Sequence, residues 1–364
     1  MSTPSPQFRG PRPRAHIRDI PAYVPGKPPT PRPGLTAYKL SSNENPYPPL
    51  PGVVEASTRA VEVMNRYPDM GSVALYEALG RHLGVPVDHL AAGTGSVALI
   101  YQLLQAFCEP GDEVVYAWRS FEAYPIAVTA AGARSVQVPL RADGHHDLEA
   151  MAAAITERTR VVMVCTPNNP TGPAVTQAEL DRFLAAVPAH VVAVVDEAYL
   201  EFVRMPDAVD GLATYRAHPN VVLFRTFSKA YGLAGFRVGY AVAQPEVAGA
   251  LRAVSLPFGV SSVAQAAALA SLEASEALLE RVDALVAERD RVGAALREAG
   301  WDVPDAQGNF VWFALGDRSA EFAAACDDAG IVVRPFAGEG CRVTVGEVEA
   351  NDRLVEVARA FAPA

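Results

Sequence analysis

Three short segments of this chain carry side chains suited to covalent carbonyl chemistry. Lys229 lies in Thr226-Phe227-Ser228-Lys229-Ala230-Tyr231-Gly232, directly after the β-like run Val221 to Arg225. Asp196 and Tyr199 follow the run Val191 to Val195, and Asn169-Pro170-Thr171-Gly172 follows Val161 to Cys165. A lone lysine is ordinarily a solvated charge, but this one sits in a Ser/Gly-rich segment between apolar strands. Partial desolvation there lowers an amine's pKa and makes it nucleophilic. Asp196 ends an apolar run and is expected to be buried, and a buried carboxylate needs a cationic or strongly donating partner. A protonated pyridine nitrogen is such a partner. An amine for a Schiff base, an acid for the ring nitrogen and donors for a ring oxygen are what pyridoxal 5'-phosphate asks of a protein. Lys229, Asp196 and Tyr199 are therefore the catalytic candidates, with Asn169 a second donor to the ring oxygen. The plainer alternatives are a helix cap for Asp196 and core packing for Tyr199.

A phosphate needs several donors converging on a small volume. Thr226 and Ser228 flank the lysine, and Arg237 follows eight residues later, able to make charge-assisted bonds. Gly93-Thr94-Gly95-Ser96-Val97 opens a predicted helix. Glycines there leave backbone N–H groups and the positive helix end open to an anion. Alone, this segment reads as a structural cap. Beside the lysine motif, Gly95, Ser96 and Val97 become the second half of a phosphate cup.

These motifs must be held by elements that the pattern also predicts. Helices are expected over Ser72 to Leu83, from a serine cap to Gly84, and over Ser96 to Phe107. Thr176 and Glu179 form a capping box for a helix to about Val187. Strands are expected at Glu113 to Ala117, Ser135 to Leu140, Val161 to Cys165, Val191 to Val195, Val221 to Arg225 and Val238 to Ala243. Strands alternating with helix-length segments predict an α/β fold with a mostly parallel, doubly wound sheet. Ligands of such sheets sit at the carboxyl ends of the strands, where three of the runs end in the motifs above. Beyond Pro257 the pattern changes to long helices around two strands, Asn309 to Leu315 and Arg342 to Val345, which suits a smaller α+β domain. The expected division is an N-terminal arm (1–45, with 1–15 disordered), a large domain (46–255) and a small one (256–364).

Composition narrows the classes of function. Half of the 364 residues are apolar, enough for a large core, and the net charge of −10 disfavours nucleic acid or an anionic membrane as partner. No apolar run reaches the length of a membrane span, and the first residues lack the apolar segment of a signal peptide. Four scattered cysteines without a C-x-x-C pair read as reduced thiols of a cytoplasmic protein, not a disulfide framework or zinc site. Residues 1–34 hold ten of the 30 prolines and no apolar period, although Ile20, Tyr23 and Val24 suggest an arm that docks. His145-His146 lies in a polar turn without a third ligand and reads as surface loop.

With these residues in hand, the chain resembles the fold-type I pyridoxal-phosphate aminotransferases, in the branch of histidinol-phosphate aminotransferases. The likeness runs in order from about Ile17 to Phe361, through Tyr23-Val24-Pro25-Gly26-Lys27, Ser42-Asn43-Glu44-Asn45-Pro46, Asn65-Arg66-Tyr67-Pro68-Asp69, Gly93 to Ser96, Asn169 to Gly172, Asp196 to Tyr199, Ser228-Lys229, Arg237 and Cys341 to Gly346. Within the branch, Trp118-Arg119-Ser120-Phe121-Glu122 and Val254 to Phe258 are most similar to actinobacterial aromatic amino acid aminotransferases. The resemblance implies a homodimer in which Tyr67 reaches the neighbour's cofactor phosphate. It implies that Phe121 stacks on the pyridine ring, where the family usually has tyrosine, and that Arg342 grips the substrate carboxylate. It also implies that Tyr23 and Asn43 belong to an arm closing over the substrate. Arg334 matches an arginine that can contact a substrate phosphate in histidinol-phosphate enzymes, and aromatic enzymes keep it too. Val97, where a polar residue is usual, slightly favours an aromatic substrate.

The expected activity is ping-pong transamination of phenylalanine, tyrosine or tryptophan with 2-oxoglutarate. Pro257-Phe258, Phe121 and Tyr23 are candidates for its apolar pocket. Histidinol-phosphate transamination is the alternative, and a phosphate-threonine decarboxylase of the same branch a weaker one. A transcriptional regulator on this fold would need a DNA-binding module ahead of residue 40, which a proline-rich arm does not form.

Overall fold

The fold is that of a computed structural model, which describes residues 11–23, 26, 28–29, 31 and 33–361. Residues 1–10 of the expected leader, and Val24, Pro25 and Lys27 of the arm motif, lie outside the described residues. Twelve strands appear among the described residues: β1 (Tyr38–Lys39), β2 (Leu90–Gly93), β3 (Glu113–Trp118), β4 (Arg134–Pro139), β5 (Thr159–Cys165), β6 (Val192–Asp196), β7 (Val221–Thr226), β8 (Gly239–Val242), β9 (Phe310–Ala314), β10 (Ile331–Val332), β11 (Arg334–Phe336) and β12 (Gly340–Thr344). Seven form one sheet in the order β2-β8-β7-β6-β5-β3-β4, parallel throughout except for β8, which runs antiparallel to both neighbours. The fold class expected from the alternation is the one found.

Alternate residues of the central strands feed two apolar layers. Val162, Val164, Ala193, Val195 and Leu223 point into one, covered by helices that supply Leu79, Leu180, Phe183 and Ala267. Val161, Met163, Val192, Val194 and Phe224 point into the other, covered by Leu99, Leu103, Tyr124 and Leu251. Both faces are dry, which is why these strands read as continuous valine runs. Each fully buried side chain of this size contributes about 1.5–3 kcal/mol relative to exposure.

A three-stranded antiparallel sheet, β11-β12-β9, forms a separate core with Trp301, Phe322, Leu354 and Leu40. The arm joins it through β1, paired in parallel with β10. The helix Ser275–Glu298 serves both bodies: Leu278, Val282 and Leu285 sit in the first layer, Val292 and Leu296 in the small-domain core.

Local expectations mostly hold, with informative exceptions. The capping box at Thr176 and Glu179 forms. Ser72 precedes its helix, Val73–Leu83, but does not cap it with its side chain, and Asp69 accepts the Val73 N–H instead at 2.8 Å. The strand β2 was not expected. His146 is buried rather than on the surface, and burial lowers its pKa to about 4. Neighbouring His145 remains partly exposed. No metal-binding cluster occurs among the described residues, and no helix there is long and apolar enough to cross a membrane.

Candidate active site

The carboxyl ends of β5, β6 and β7 open onto a cavity of about 1010 Å³ including its mouth. Lys229, Asp196, Tyr199, Asn169, Thr226, Ser228, Arg237, Ser96, Val97 and Phe121 all line it, as do Arg342, Arg334 and Tyr23. Parallel strands end together on one edge of the sheet, which gathers Asn169, Asp196, Thr226, Ser228 and Lys229, while Tyr23, Arg334 and Arg342 reach the same cavity from the arm and the small sheet.

Asp196 is the last residue of β6 and only 3% exposed. Its Oδ2 accepts a 2.7 Å hydrogen bond from the Tyr124 hydroxyl, while Oδ1 has no partner among the described residues. Burial pushes the carboxyl up to about 6. A buried carboxylate oxygen lacking a donor is the complement of a protonated ring nitrogen. Lys229 Nζ donates to the carbonyls of Ser42 and Asn43 at 3.1 and 3.4 Å. Burial first, and then the nearby Arg342 guanidinium, lower its amine to about 7, so much of it is unprotonated at neutral pH.

The anion cradle is built from backbone. Gly95 precedes the helix Ser96–Phe107 at φ 83°, and no side chain caps that helix. The first N–H groups of a helix have no carbonyl ahead of them. The φ at Gly95 calls for glycine, and a Cβ there would stand 2.5 Å from Arg237 Nη2 and push that guanidinium aside. Arg237 donates to Ser228 Oγ at 3.3 Å and to the Ala234 carbonyl at 2.9 Å. An unpartnered acid oxygen, a softened amine and a glycine-lined cationic cradle together fit pyridoxal 5'-phosphate.

The opposite wall comes from the small domain and the arm. Arg334 and Arg342 stand directly across from each other on β11 and β12. Arg342 donates to Asn169 Oδ1 at 2.5 Å and to the Ser41 carbonyl at 2.7 Å, and its Nε is without a partner among the described residues. Both acceptors are neutral, and no acid pairs with the cation among the described residues. With Asn169 Oδ1 taken by Arg342, its amide hydrogens have no acceptor among the described residues.

Three expected residues stand off the cavity lining. Gly95 lies behind it, against Arg237. Asn43 is fully buried, donating to the Tyr199 hydroxyl at 2.9 Å, with its Oδ1 accepting from Thr344 at 3.1 Å. Its side chain stands behind Tyr199, while its backbone carbonyl accepts from Lys229 Nζ. Tyr67 is 82% exposed and stacks on Phe258, ring centroids 4.7 Å apart. Phe258 and Pro257 also lie away from the cavity, on a separate surface depression with Asp69 and Met70. The other two apolar candidates, Phe121 and Tyr23, do line the cavity, and Phe336 joins them.

Other lining residues had no assigned role. Cys165, Ala198 and Ser120 line the ring side, with Ser120 donating to Asn168 Oδ1 at 2.7 Å. Tyr124 and Asp196 are 72 residues apart, and only tertiary contact joins them. Glu122, next to Phe121, lines the cavity against Arg334.

The family description for aminotransferase class I and II matches residues 36–357. The chain is 61% identical to the aromatic amino acid aminotransferase of Streptomyces avermitilis over 361 residues, covering 99% of each. It is 54% identical to that of Thermobifida fusca, covering 96% of each. Among solved structures it is similar to histidinol-phosphate aminotransferase from Sinorhizobium meliloti in complex with pyridoxal-5'-phosphate, at TM-score 0.82 and 31% identity, covering 90% of this chain and 92% of that one. It is also similar to Thermus thermophilus aspartate aminotransferase with maleate, at TM-score 0.78 and 25% identity, covering 89% and 91%. A fold, a cavity and full-length relatives of one kind converge: the chain belongs to the class I and II aminotransferases, and its cofactor is pyridoxal 5'-phosphate.

Proposed function

We propose that this enzyme transaminates aromatic amino acids, with 2-oxoglutarate as the acceptor. The observation that carries the reading is the state of Arg334. Its Nη2 donates to both oxygens of Glu122, at 3.0 and 2.8 Å. The arginine that could grip a substrate phosphate is thus already matched, beside Phe121, Phe336 and Tyr23. An uncharged ring suits that end better than a dianion. Relatives at 53–61% identity over nearly the whole chain, named aromatic amino acid aminotransferases, support the same reading.

The bound cofactor supplies an electron sink for the pair left when the substrate Cα–H bond breaks. Around it, each residue has a proposed task. Lys229 would hold the cofactor through its Nζ, and the same amine, once free, would take the substrate Cα proton. Asp196 keeps the ring nitrogen protonated, and Tyr124 fixes the orientation of that carboxylate. Tyr199 and Asn169 donate to the ring oxygen, with Asn43 positioning Tyr199. Phe121 stacks on the ring. Gly95, Ser96, Val97, Thr226, Ser228 and Arg237 hold the phosphate. Arg342 takes the substrate α-carboxylate bidentately, a geometry lysine does not offer. Tyr23 covers the substrate. Tyr67, exposed here, serves a second copy's phosphate in a cytoplasmic homodimer with shared sites.

The deciding experiment compares turnover by purified holoenzyme of phenylpyruvate and of imidazole-acetol phosphate with one donor. Phenylpyruvate is expected to have the higher kcat/KM by about tenfold or more, since each good pocket contact is worth 1–3 kcal/mol. Preference for the phosphorylated substrate would replace this reading by histidinol-phosphate transamination.

A further inference from the structure

Arg334 and Arg342 form a cross-strand pair in one hairpin, and they are similarly buried, at 7% and 8% exposure. Their partners differ. Arg342 meets an amide oxygen and a carbonyl. Arg334 meets a carboxylate, Glu122, and its guanidinium lies 5.3 Å from the centre of the Phe336 ring. A second pair is built beside it with the charges exchanged: Arg119, from the same segment as Glu122, donates to both oxygens of Glu339 at the end of that hairpin. Arg119 also lies 5.4 Å from the Phe336 ring. Phe336 is therefore contacted by two cations, each matched to an acid.

Glu122 is not needed by its own element. It occupies the N-cap position of the helix Ala123–Ala131, but its side chain caps no N–H there. Its carboxylate is three-quarters buried and lies in the cavity wall next to Phe121. A buried arginine without an anion attracts one, whereas an arginine already held by a carboxylate gives a second anion little. The negative charge of Glu122 also faces whatever enters beside it.

We propose that Glu122 determines side-chain specificity, by holding Arg334 so that the substrate end of the cavity is electrically matched before any substrate arrives. A neutral aromatic side chain enters without breaking the pair. An anionic side chain must draw Arg334 away from Glu122 or share it. The selectivity is a threshold and not a bar, as an acidic acceptor still has to be used. Glu122 acts through Arg334 and is a positioning residue. The proposal rests on the aromatic reading above and deepens it.

The test measures kcat/KM of holoenzyme for phenylalanine and for glutamate, in wild type, Glu122→Gln, Arg334→Gln and the double variant. Spectral titration with glutarate and with 3-phenylpropionate gives the binding contribution separately. In E122Q the glutamate-to-phenylalanine ratio should rise about tenfold or more, mainly through KM, with tighter glutarate binding and no matching gain for 3-phenylpropionate. In R334Q, where Glu122 is left as a bare anion, the ratio should fall by about the same factor. The double variant should lose the E122Q gain. Glu122→Asp, which keeps the charge, should lie closer to wild type than Gln does. A ratio unmoved in E122Q, an equal loss on both donors, or a gain that survives in the double variant overturns the proposal. Should E122Q fail to fold, R334Q and E122D decide it: no fall in R334Q, or E122D ratios unrelated to retained charge, overturns it as well. Failure of the aromatic reading appears elsewhere, as wild-type preference for a phosphorylated substrate, and leaves the ratio test intact.

Discussion

The two walls of this cavity are made in different ways. The strand-end wall is assembled from short motifs, each beginning where one buried strand stops: Asn169 after β5, Asp196 at the end of β6, Thr226 to Lys229 from the end of β7. The hairpin wall is assembled by contacts across the whole chain, Arg342 to Ser41 and to Asn169, and Arg334 to Glu122. The first wall holds a ligand common to the entire family. On the roles proposed above, the second meets the substrate, its constant α-carboxylate at Arg342 and its variable side chain beside Arg334. Chemistry that never changes can be carried by local sequence, while selectivity is carried by which distant residues are brought together.

If the walls are separable, changes to one should leave the other's property in place. The largest effect is expected for Lys229→Ala, which should abolish turnover and the visible absorbance of the lysine-linked cofactor while the fold melts as before. Retention of either signal would remove Lys229 from its role. Next, Arg342→Gln should lower kcat/KM by roughly a hundredfold or more, the 2–5 kcal/mol cost of losing one partner of a desolvated charge pair. That loss should be similar for phenylalanine and glutamate, with cofactor affinity unchanged, and unequal losses would make Arg342 part of the selective end. Gly95→Ala should do the reverse. At φ 83° and 2.5 Å from Arg237, a methyl group should weaken cofactor binding by roughly tenfold or more, given the 1–3 kcal/mol of such strain, without altering donor preference. Equilibrium titration of the apoenzyme checks this.

Two smaller effects sharpen the strand-end wall. Only an unprotonated amine attacks an aldehyde, and the Lys229 amine is held at about 7. Cofactor uptake by apoenzyme should therefore accelerate as pH rises through about 7 and level off above it. A rise confined to the ordinary lysine range would contradict the burial argument. Tyr124→Phe removes the 2.7 Å hydrogen bond to Asp196, worth about 0.5–1.5 kcal/mol. It should lower kcat a few-fold. A larger loss would mean that Tyr124 also bonds the ligand.

How much was legible follows the same division. Nine of the residues lining the strand-end side of the cavity were readable because each sits near a strand end or helix start that its own neighbours define, while Phe121 was placed there by resemblance. Asn43 was placed in the site by resemblance, yet it stands behind Tyr199. Only packing against Thr344, 301 positions away, puts it there. Pro257 and Phe258 were candidates for the apolar pocket that an aromatic substrate requires, and within one copy of the chain they do not line the cavity. Phe258 instead stacks on Tyr67, outside the cavity. The burial of His146 escaped notice for a related reason: a polar turn in sequence does not reveal what lies over it.

Sequence alone determined the alternation of dry strands and helices, and hence the parallel sheet. It also determined the identity of the amine and acid at that sheet's carboxyl edge, because period, caps and strand ends are properties of consecutive residues. Only tertiary structure decided that Tyr124 holds Asp196, that Arg342 faces the site without an anion, and that Glu122 claims Arg334. Burial and charge matching depend on neighbours that the chain supplies from far away.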